Sequence, residues 1–393
     1  MSGGTRSYEM ARRLVRAGHA VHLISSHREG DFPAGVWREE VIDGIHIHWY
    51  GVPYSNRLSY GRRVKAFVRF AWAAAVRAVA IGGDLVFATS TPLTIALPGI
   101  YAAKRLRAPM VFEVRDLWPE LPVAIGALKN PLLIRLAEYL EKFAYRNSSR
   151  VVALSPGMAD GVRARGYPPE RISVIPNSCD IDLFRVDPGV GRTFRERHPF
   201  LGQGPLLVYA GTLGVINWVG YLVDIAAEMK QIEPSVRFLI VGDGREKEAV
   251  RRKAEAAGVL QANLWMMEQV PKKEMPALLS AATLAVSLFV NIPEMWNNSA
   301  NKFFDALAAG RPVVINYRGW QADLLAESGA GLVIAPDRPR EAAAGIAEFL
   351  RDTGRLHSAG EAAAKLAADR FDRDVLARRL RNLLEEAAAE KER

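Results

Sequence analysis

The 393 residues include a single cysteine, Cys179, so an intramolecular disulfide and a cysteine-cluster zinc site are excluded. A reducing compartment is the simple expectation. The opening residues, MSGGTRSYEMARR, contain no apolar run, so no secretory signal is read there. Long hydrophobic runs are scarce. Residues Leu85 to Ala103 and Ala277 to Pro293 carry no charge, but Pro92 and Pro98 interrupt the first and the strand-like LAVSLFV ends the second. Each is read as a strand plus a buried helix. No complete G-x-G-x-x-G is present, which makes a nicotinamide enzyme the less favoured use of any strand-turn-helix unit here. The net charge of +9 favours polyanionic or anionic-surface partners, yet the arginines are scattered and no basic-aromatic nucleic-acid module occurs. Asp180 and Asp182 form a D-x-D without further carboxylates nearby, which reads as a turn and not as a metal site.

A composition 49% hydrophobic and 24% charged is globular, and the length suits two domains. Strand patterns alternate with helical ones throughout: AVHLISS, GIHIHWY, LVFAT, MVFEV, VVALS and SVIP, then LLVYAG, RFLIVGDG, NLWMM, LAVSLFV and GLVIA. This alternation predicts α/β layers with parallel sheets, whose ligands gather at the carboxyl ends of the strands. Residues 1–186 are assigned to a first Rossmann-like domain, 187–370 to a second, and 371–393 to a helix crossing back to the first. The irregular stretch from Phe184 to Pro205 is read as the linker.

The stretch Trp296 to Val314, WNNSANKFFDALAAGRPVV, holds the densest set of functional residue types. Asn297, Asn298 and Ser299 are N-cap types, Phe303, Leu307 and Ala308 recur at helical spacing, and Gly310 closes the helix before a short apolar strand. A helix N-terminus with Lys302 beside it suits a phosphate, and the carboxylate of Asp305 suits a ribose or sugar diol. The same pattern also fits a capped amphipathic helix with both charges merely solvated. Strand-to-helix turns at Gly211-Thr212-Leu213-Gly214 and Gly242-Asp243-Gly244, and the Gly3-Gly4 pair, can likewise admit a phosphate.

In the first half, two strand ends stand out. Ser90-Thr91-Pro92 follows LVFAT, and Glu113-Val114-Arg115-Asp116-Leu117-Trp118-Pro119-Glu120 follows MVF. Arg115 can clamp a phosphate or acceptor carboxylate, Asp116 or Glu120 can orient an acceptor hydroxyl, and Trp118 offers a platform. An internal salt-bridge network is the competing reading. The helix from Arg62 to Val79 puts Arg62, Lys65, Arg69 and Arg77 on one side and Val64, Phe67, Val68, Ala71, Ala75 and Val79 on the other. It can lie on an anionic membrane or cover a sheet.

Several segments in order, GHAVHLIS, IPNSCDIDLF, VYAGTLG, IVGDG and FDALAAGRPVV, resemble the glycosyltransferases of family 4, which have the GT-B fold. PYSNRLSY, FATSTPLTIALP, FEVRDLWPELP, ALSPGM and NKFFDALAAGRPVV are similar to the branch with fucosaminyltransferase-like enzymes of O-antigen and capsule assembly. The resemblance implies two Rossmann-like domains facing across a cleft and a retaining transfer without metal or cofactor. It implies a nucleotide-sugar donor, UDP-linked, and a lipid-linked or saccharide acceptor. The sugar implied is an N-acetylated deoxyhexose. The implied place is cytoplasmic, with peripheral contact at the inner membrane face through 62–79. Asp305 takes the place of the second acid of the family's E-x7-E motif and Asn297 that of the first. The family's diphosphate-binding Arg and Lys are missing near Thr212 and Asn217, so Lys302 is the candidate replacement. Gly3, Gly4, Gly211, Thr212, Gly242, Val270, Asn298, Ser299, Asn301, Lys302 and Asp305 are assigned to the donor. Ser90, Thr91, Trp118 and Glu120 are assigned to the acceptor, and Arg115, Asp116, Asn297 and Lys302 to catalysis. A sugar-nucleotide epimerase or hydrolase, and a catalytically silent sugar- or membrane-binding scaffold, are the alternatives. The family leads one to expect an apolar strand ahead of Gly3-Gly4, so a start-truncated chain with a strand place unfilled beside AVHLISS is predicted.

Overall fold

The computed structural model of the protein describes residues 6–27, 32–52, 60–90 and 92–390, and the side chains of all of these except 60–64. The chain divides into two compact units. The N-terminal unit holds α1 (Arg6–Arg16), β1 (His22–His27), β2 (Trp37–Ile42), β3 (Ile45–Gly51), α2 (Tyr60–Ile81), β4 (Val86–Ser90) and α3 (Ala96–Leu106). It continues through β5 (Met110–Val114), α4 (Glu120–Ala124), α5 (Pro131–Arg146), β6 (Arg150–Ala153), α6 (Pro156–Ala164) and β7 (Ile172–Val174). From Asn177 the chain enters the C-terminal unit, where α7 (Ile181–Phe184), α8 (Pro188–Arg197), β8 (Leu206–Ala210), α9 (Gly220–Ile232), β9 (Arg237–Val241), α10 (Lys247–Ala256) and β10 (Leu264–Met267) come first. There follow α11 (Met275–Ala281), β11 (Leu284–Ser287), α12 (Asn301–Ala308), β12 (Val313–Ile315), α13 (Trp320–Ser328), β13 (Gly331–Val333), α14 (Pro339–Arg351) and α15 (Thr353–Arg370). The last helix, α16 (Arg373–Ala389), belongs to the N-terminal unit from Leu376 onward. There Leu376, Leu380 and Leu383 pack with Met10, Val111, Val152 and Ile175.

The division falls at 176/177, ten residues ahead of the boundary placed at 186/187. Hydrogen bonds and ion pairs made by residues 177–180 within the C-terminal unit account for the difference. Asn177 donates its backbone N–H to Ser299 Oγ at 3.0 Å, Cys179 donates its N–H to the Phe371 carbonyl, and Asp180 is held by Lys272 at 3.0 Å and by Arg373. The stretch read as an irregular linker is largely ordered: Asp187 caps α8 by accepting from Gly189 N–H, and Pro188 sits at the first helical position, where its missing N–H costs nothing.

The C-terminal sheet is wholly parallel with the order β10-β9-β8-β11-β12-β13. This is the Rossmann order, with the chain reversing direction of travel across the sheet between β8 and β11. Its strands read as unbroken apolar runs because helices cover both faces. Among the described residues the N-terminal unit has two sheets, β1-β3-β2 and the parallel β4-β5-β6-β7. Among the described residues β1 pairs with β3 and β4 with β5, each on one edge. Burial follows the pairing: every residue of β5 is buried, whereas no residue of β1 is.

The exposed face of α2 differs from the one its valines suggest. Ala66, Ala74 and Ala75 are buried, and Arg77 turns inward to Glu39 and to His48 Nδ1 at 3.1 Å, whereas Val68, Trp72 and Val76 are exposed. Alanines allow the helix backbone to approach its neighbours closely, so small residues take the buried face and the bulky ones face solvent.

Candidate functional site at the crevice of the C-terminal unit

The turn after β8 and the turn after β11 meet at the point where the strand order reverses, the place where open α/β sheets bind ligands. Lys302, in the first turn of α12, spans it. Its ammonium donates to the Tyr209 hydroxyl at 2.9 Å and lies 4.5 Å from the Tyr209 ring centre and 4.8 Å from that of Phe289. Tyr209 passes the hydrogen bond on, donating to the Thr212 carbonyl at 2.8 Å. With its amide oriented to satisfy both partners, Asn217 donates to the same carbonyl at 3.0 Å and accepts from Lys302 at 3.2 Å. Among the described residues no carboxylate pairs with Lys302. Burial in this aromatic box pushes its pKa down to about 7. A desolvated lysine at a crevice, without a carboxylate beside it among the described residues, is poised to be charged by an anion that binds there.

The helix start differs from expectation. Asn297 ends a 3-10 turn, Pro293–Asn297, and α12 begins at Asn301, with Ala300 at the cap and no side-chain cap bond. The cap-type residues are used elsewhere. Asn298 donates to the Met295 carbonyl at 2.7 Å and accepts from Ala300 N–H, while Ser299 accepts from Asn177. Asn298 and Ser299 are both buried, so they stiffen the approach to α12, and the first-turn N–H groups around Asn301 are left without a capping side chain. Asp305 stands one turn further on, half-buried, close enough to Cys179 for its charge to reinforce the burial that drives the thiol's pKa upward.

Gly211 and Gly242 are brought together, but by backbone contact. Gly211 N–H bonds the Val241 carbonyl at 2.9 Å, Gly242 N–H bonds Met267 at 3.2 Å, and Leu213 N–H bonds Asp243 at 2.9 Å. A Cβ on Gly242 would overlap the Gly211 carbonyl oxygen, and one on Gly244 the Leu213 carbonyl. These amides are therefore spent on backbone carbonyls of the facing turn and of the neighbouring strand ends, and the glycines serve the close approach of the two turns. Val270 packs on the apolar cluster around Leu278, away from solvent on that side. Gly3, Gly4 and Thr91 lie outside the described residues.

In the N-terminal unit the residues after β5 divide by role. Glu113 is buried, bonded by Arg6 at 2.7 Å and by Thr89 at 2.8 Å, and the same guanidinium donates to the Ile175 and Pro176 carbonyls. Glu120 is paired with Arg165, which also bonds Glu141 at 2.7 Å; burial first, and then the Glu120 charge, raise Glu141 to about 7. The internal network thus claims Glu113 and Glu120. Ser90 is 2% exposed and its hydroxyl accepts from Arg115 N–H at 3.1 Å, so it shapes the loop from within. Trp118 lies partly buried on the core around Phe112. Arg115 and Asp116 remain. Desolvation lifts Asp116 to about 6 against the pull of Arg115, the environment of a carboxylate able to exchange a proton near neutral pH.

Residues 3–178 match the family model for a glycosyl transferase 4-like domain, and residues 204–352 match that for glycosyl transferases group 1. The chain belongs to the GT-B glycosyltransferases. Among solved structures this glycosyltransferase is similar in fold to the sucrose-phosphate synthase of Thermosynechococcus elongatus, with a TM-score of 0.78, 16% identity, and coverage of 99% of this chain and 94% of that one. The Anabaena protein HepE, in complex with UDP-glucose, gives a TM-score of 0.70 at 18% identity, covering 93% of this chain and 99% of that one. The alpha-D-kanosaminyltransferase of Streptomyces kanamyceticus is 23% identical over 238 residues, 60% of either chain. The aligned part thus spans about three fifths of that relative's length.

The aromatic box of Tyr209 and Phe289 was missed by sequence reasoning, although an aromatic in the last positions of a strand before a glycine turn is a usable signal. The Arg165 network carries no such signal.

Proposed function

We propose that the protein transfers a sugar from a nucleotide-diphosphate donor, UDP-linked, to a lipid-linked or saccharide acceptor with retention of anomeric configuration. The observation that carries this reading is Lys302 at the switch point of the C-terminal sheet, boxed by aromatic rings and paired with no carboxylate among the described residues. Its ammonium neutralises the donor diphosphate and stabilises the charge that develops on it as the glycosidic bond breaks. Side chains supply this charge in place of a metal. Asp305 accepts the ribose hydroxyls, and Arg115 with Asp116 orients the acceptor. The motifs similar to those of O-antigen and capsule enzymes support a role in cell-surface polysaccharide assembly with an N-acetylated deoxyhexose as the moving sugar. The HepE complex with UDP-glucose supports a UDP donor.

The test is calorimetric binding of UDP and uridine, followed by UDP release from a panel of UDP-sugars with and without saccharide and polyprenyl-phosphate-linked acceptors. Acceptor-dependent release is expected. UDP binding without release from any sugar would favour the scaffold alternative, and acceptor-independent release a hydrolase.

A further inference from the structure

We infer that Asn316 is a positioning residue of the crevice: its side-chain amide fixes Phe289, and through Phe289 the aromatic box that encloses Lys302. The inference rests on the reading of Lys302 as the anion-binding group and adds what holds that group's surroundings in place. Strands β11 and β12 run parallel in the register Ala285↔Val313, Val286↔Val314 and Ser287↔Ile315, and both strands end at the last of these pairs. Asn316 is the next residue after β12 and is fully buried. Its Oδ1 accepts from the Phe289 N–H at 3.0 Å, and its Nδ2 donates to the Phe289 carbonyl at 2.9 Å. A carboxamide carries acceptor and donor in one plane, as a peptide group does, so a single side chain satisfies both main-chain groups of Phe289 where the strands have stopped.

The ring is braced as closely as the main chain. Tyr317, beside Asn316, meets the Phe289 ring edge-on, 5.4 Å between centres and 67° between planes. The Tyr317 hydroxyl bonds Ser287 Oγ at 3.2 Å and donates to Gln321 Oε1 at 2.6 Å, so that ring is itself anchored on β11 and α13. The Lys302 ammonium stands 4.8 Å from the centre of the Phe289 ring thus held. A ring attracts an ammonium but does not hydrate it, and here the exclusion of water dominates, which is why Lys302 titrates near 7. The titratable group placed against the ammonium is Tyr209, whose hydroxyl burial keeps protonated; Asp305, one turn along α12, lies toward Cys179. Releasing Phe289 admits water to Lys302 and returns it toward an ordinary lysine. Asn316 therefore acts on the anion site through Phe289.

The test titrates the Lys302 side chain by carbon-detected NMR in the free protein and, separately, follows UDP affinity against pH by calorimetry. In Asn316→Ala the Lys302 midpoint should move from about 7 toward 10.5, and UDP affinity should lose its fall with rising pH, which reaches about tenfold per pH unit in the unmodified protein. Asn316→Ser should shift the midpoint in the same direction, and it serves where the alanine variant does not fold. Phe289→Leu should reproduce the shift, and adding Asn316→Ala to it should produce little more, the non-additivity of two residues that act as one unit. Tyr317→Phe removes two buried hydrogen bonds next door but keeps the ring and the Asn316 amide; it should lower Tm and leave the Lys302 midpoint in place. A midpoint that stays near 7 in both Asn316 variants, an equal shift in Tyr317→Phe, or additive shifts at 316 and 289 would overturn the proposal. Absence of UDP binding in the unmodified protein would instead count against the transfer reading, and the Lys302 titration, which needs no ligand, would still decide the role of Asn316.

Discussion

Lys302 and Tyr209, 93 residues apart, are joined by a 2.9 Å hydrogen bond that closes the crevice at the end of β8, and the ring beneath the ammonium is the one whose hydroxyl it bonds. Tyr209 thus holds the cation in place and dries it. The first prediction concerns the anion. Lys302→Ala should weaken UDP by roughly 10- to 100-fold, the value of a charge-assisted hydrogen bond, and leave uridine nearly unchanged. Equal losses for the two ligands, measured by calorimetry, would refute the diphosphate role.

The lowered pKa of Lys302 gives a pH signature with a definite sign. Free protein holds this proton only below about 7, and a bound diphosphate favours the charged form. UDP binding should therefore take up protons above pH 7, and its affinity should fall as pH rises, an effect absent in Lys302→Met. Folding shows the opposite trend. The unfolded lysine titrates near 10.5 and binds more protons than the folded one across that interval, so this group's contribution makes the chain more stable as pH rises from 7 to 10.5. Lys302→Met should accordingly raise Tm at pH 7 and below, by roughly 2 to 4 °C for each kcal/mol of desolvation removed.

Asp305→Ala should weaken uridine as well as UDP, by roughly 1 to 3 kcal/mol, if its carboxylate accepts ribose hydroxyls. Competition of uridine against a fluorescent UDP analogue reads this directly, and an unchanged uridine constant would remove Asp305 from the ribose site.

Asp116, raised to about 6, should impose an acid limb near pH 6 on the transfer rate, whereas an ordinary aspartate would place it near 3.8. Asp116→Asn should abolish that limb together with most of the rate. Stability moves the other way: burying the carboxylate is unfavourable once the unfolded group ionises, so Asp116→Asn should raise Tm at pH 8 and have little effect below pH 3.

Much of this architecture was legible in the sequence. Parallel strands buried on both faces read as apolar runs, so β8, β9, β11 and β12 stood out, and Lys302 stood out beside a helix start. What was not legible depends on partners far along the chain. Asn298 and Ser299 have the chemistry of caps, but Met295 and Asn177 claim their side chains and move the helix start to Asn301. Glu113 and Glu120 looked available because nothing local announces Arg6, 107 residues away, or Arg165. On α2 the valines pointed outward because alanines pack closer, a preference that periodicity alone does not encode.

The two glycine turns beneath the crevice have a consequence for anyone mapping this site by mutation. Since a side chain at Gly242 has no room except where the Gly211 carbonyl stands, and one at Gly244 meets the carbonyl of Leu213, a saturation library will score both positions as intolerant. Their losses will mimic those of Lys302 in any activity screen. They will part from Lys302 only in a screen for soluble, folded protein, where steric intolerance is visible and a missing cation is not.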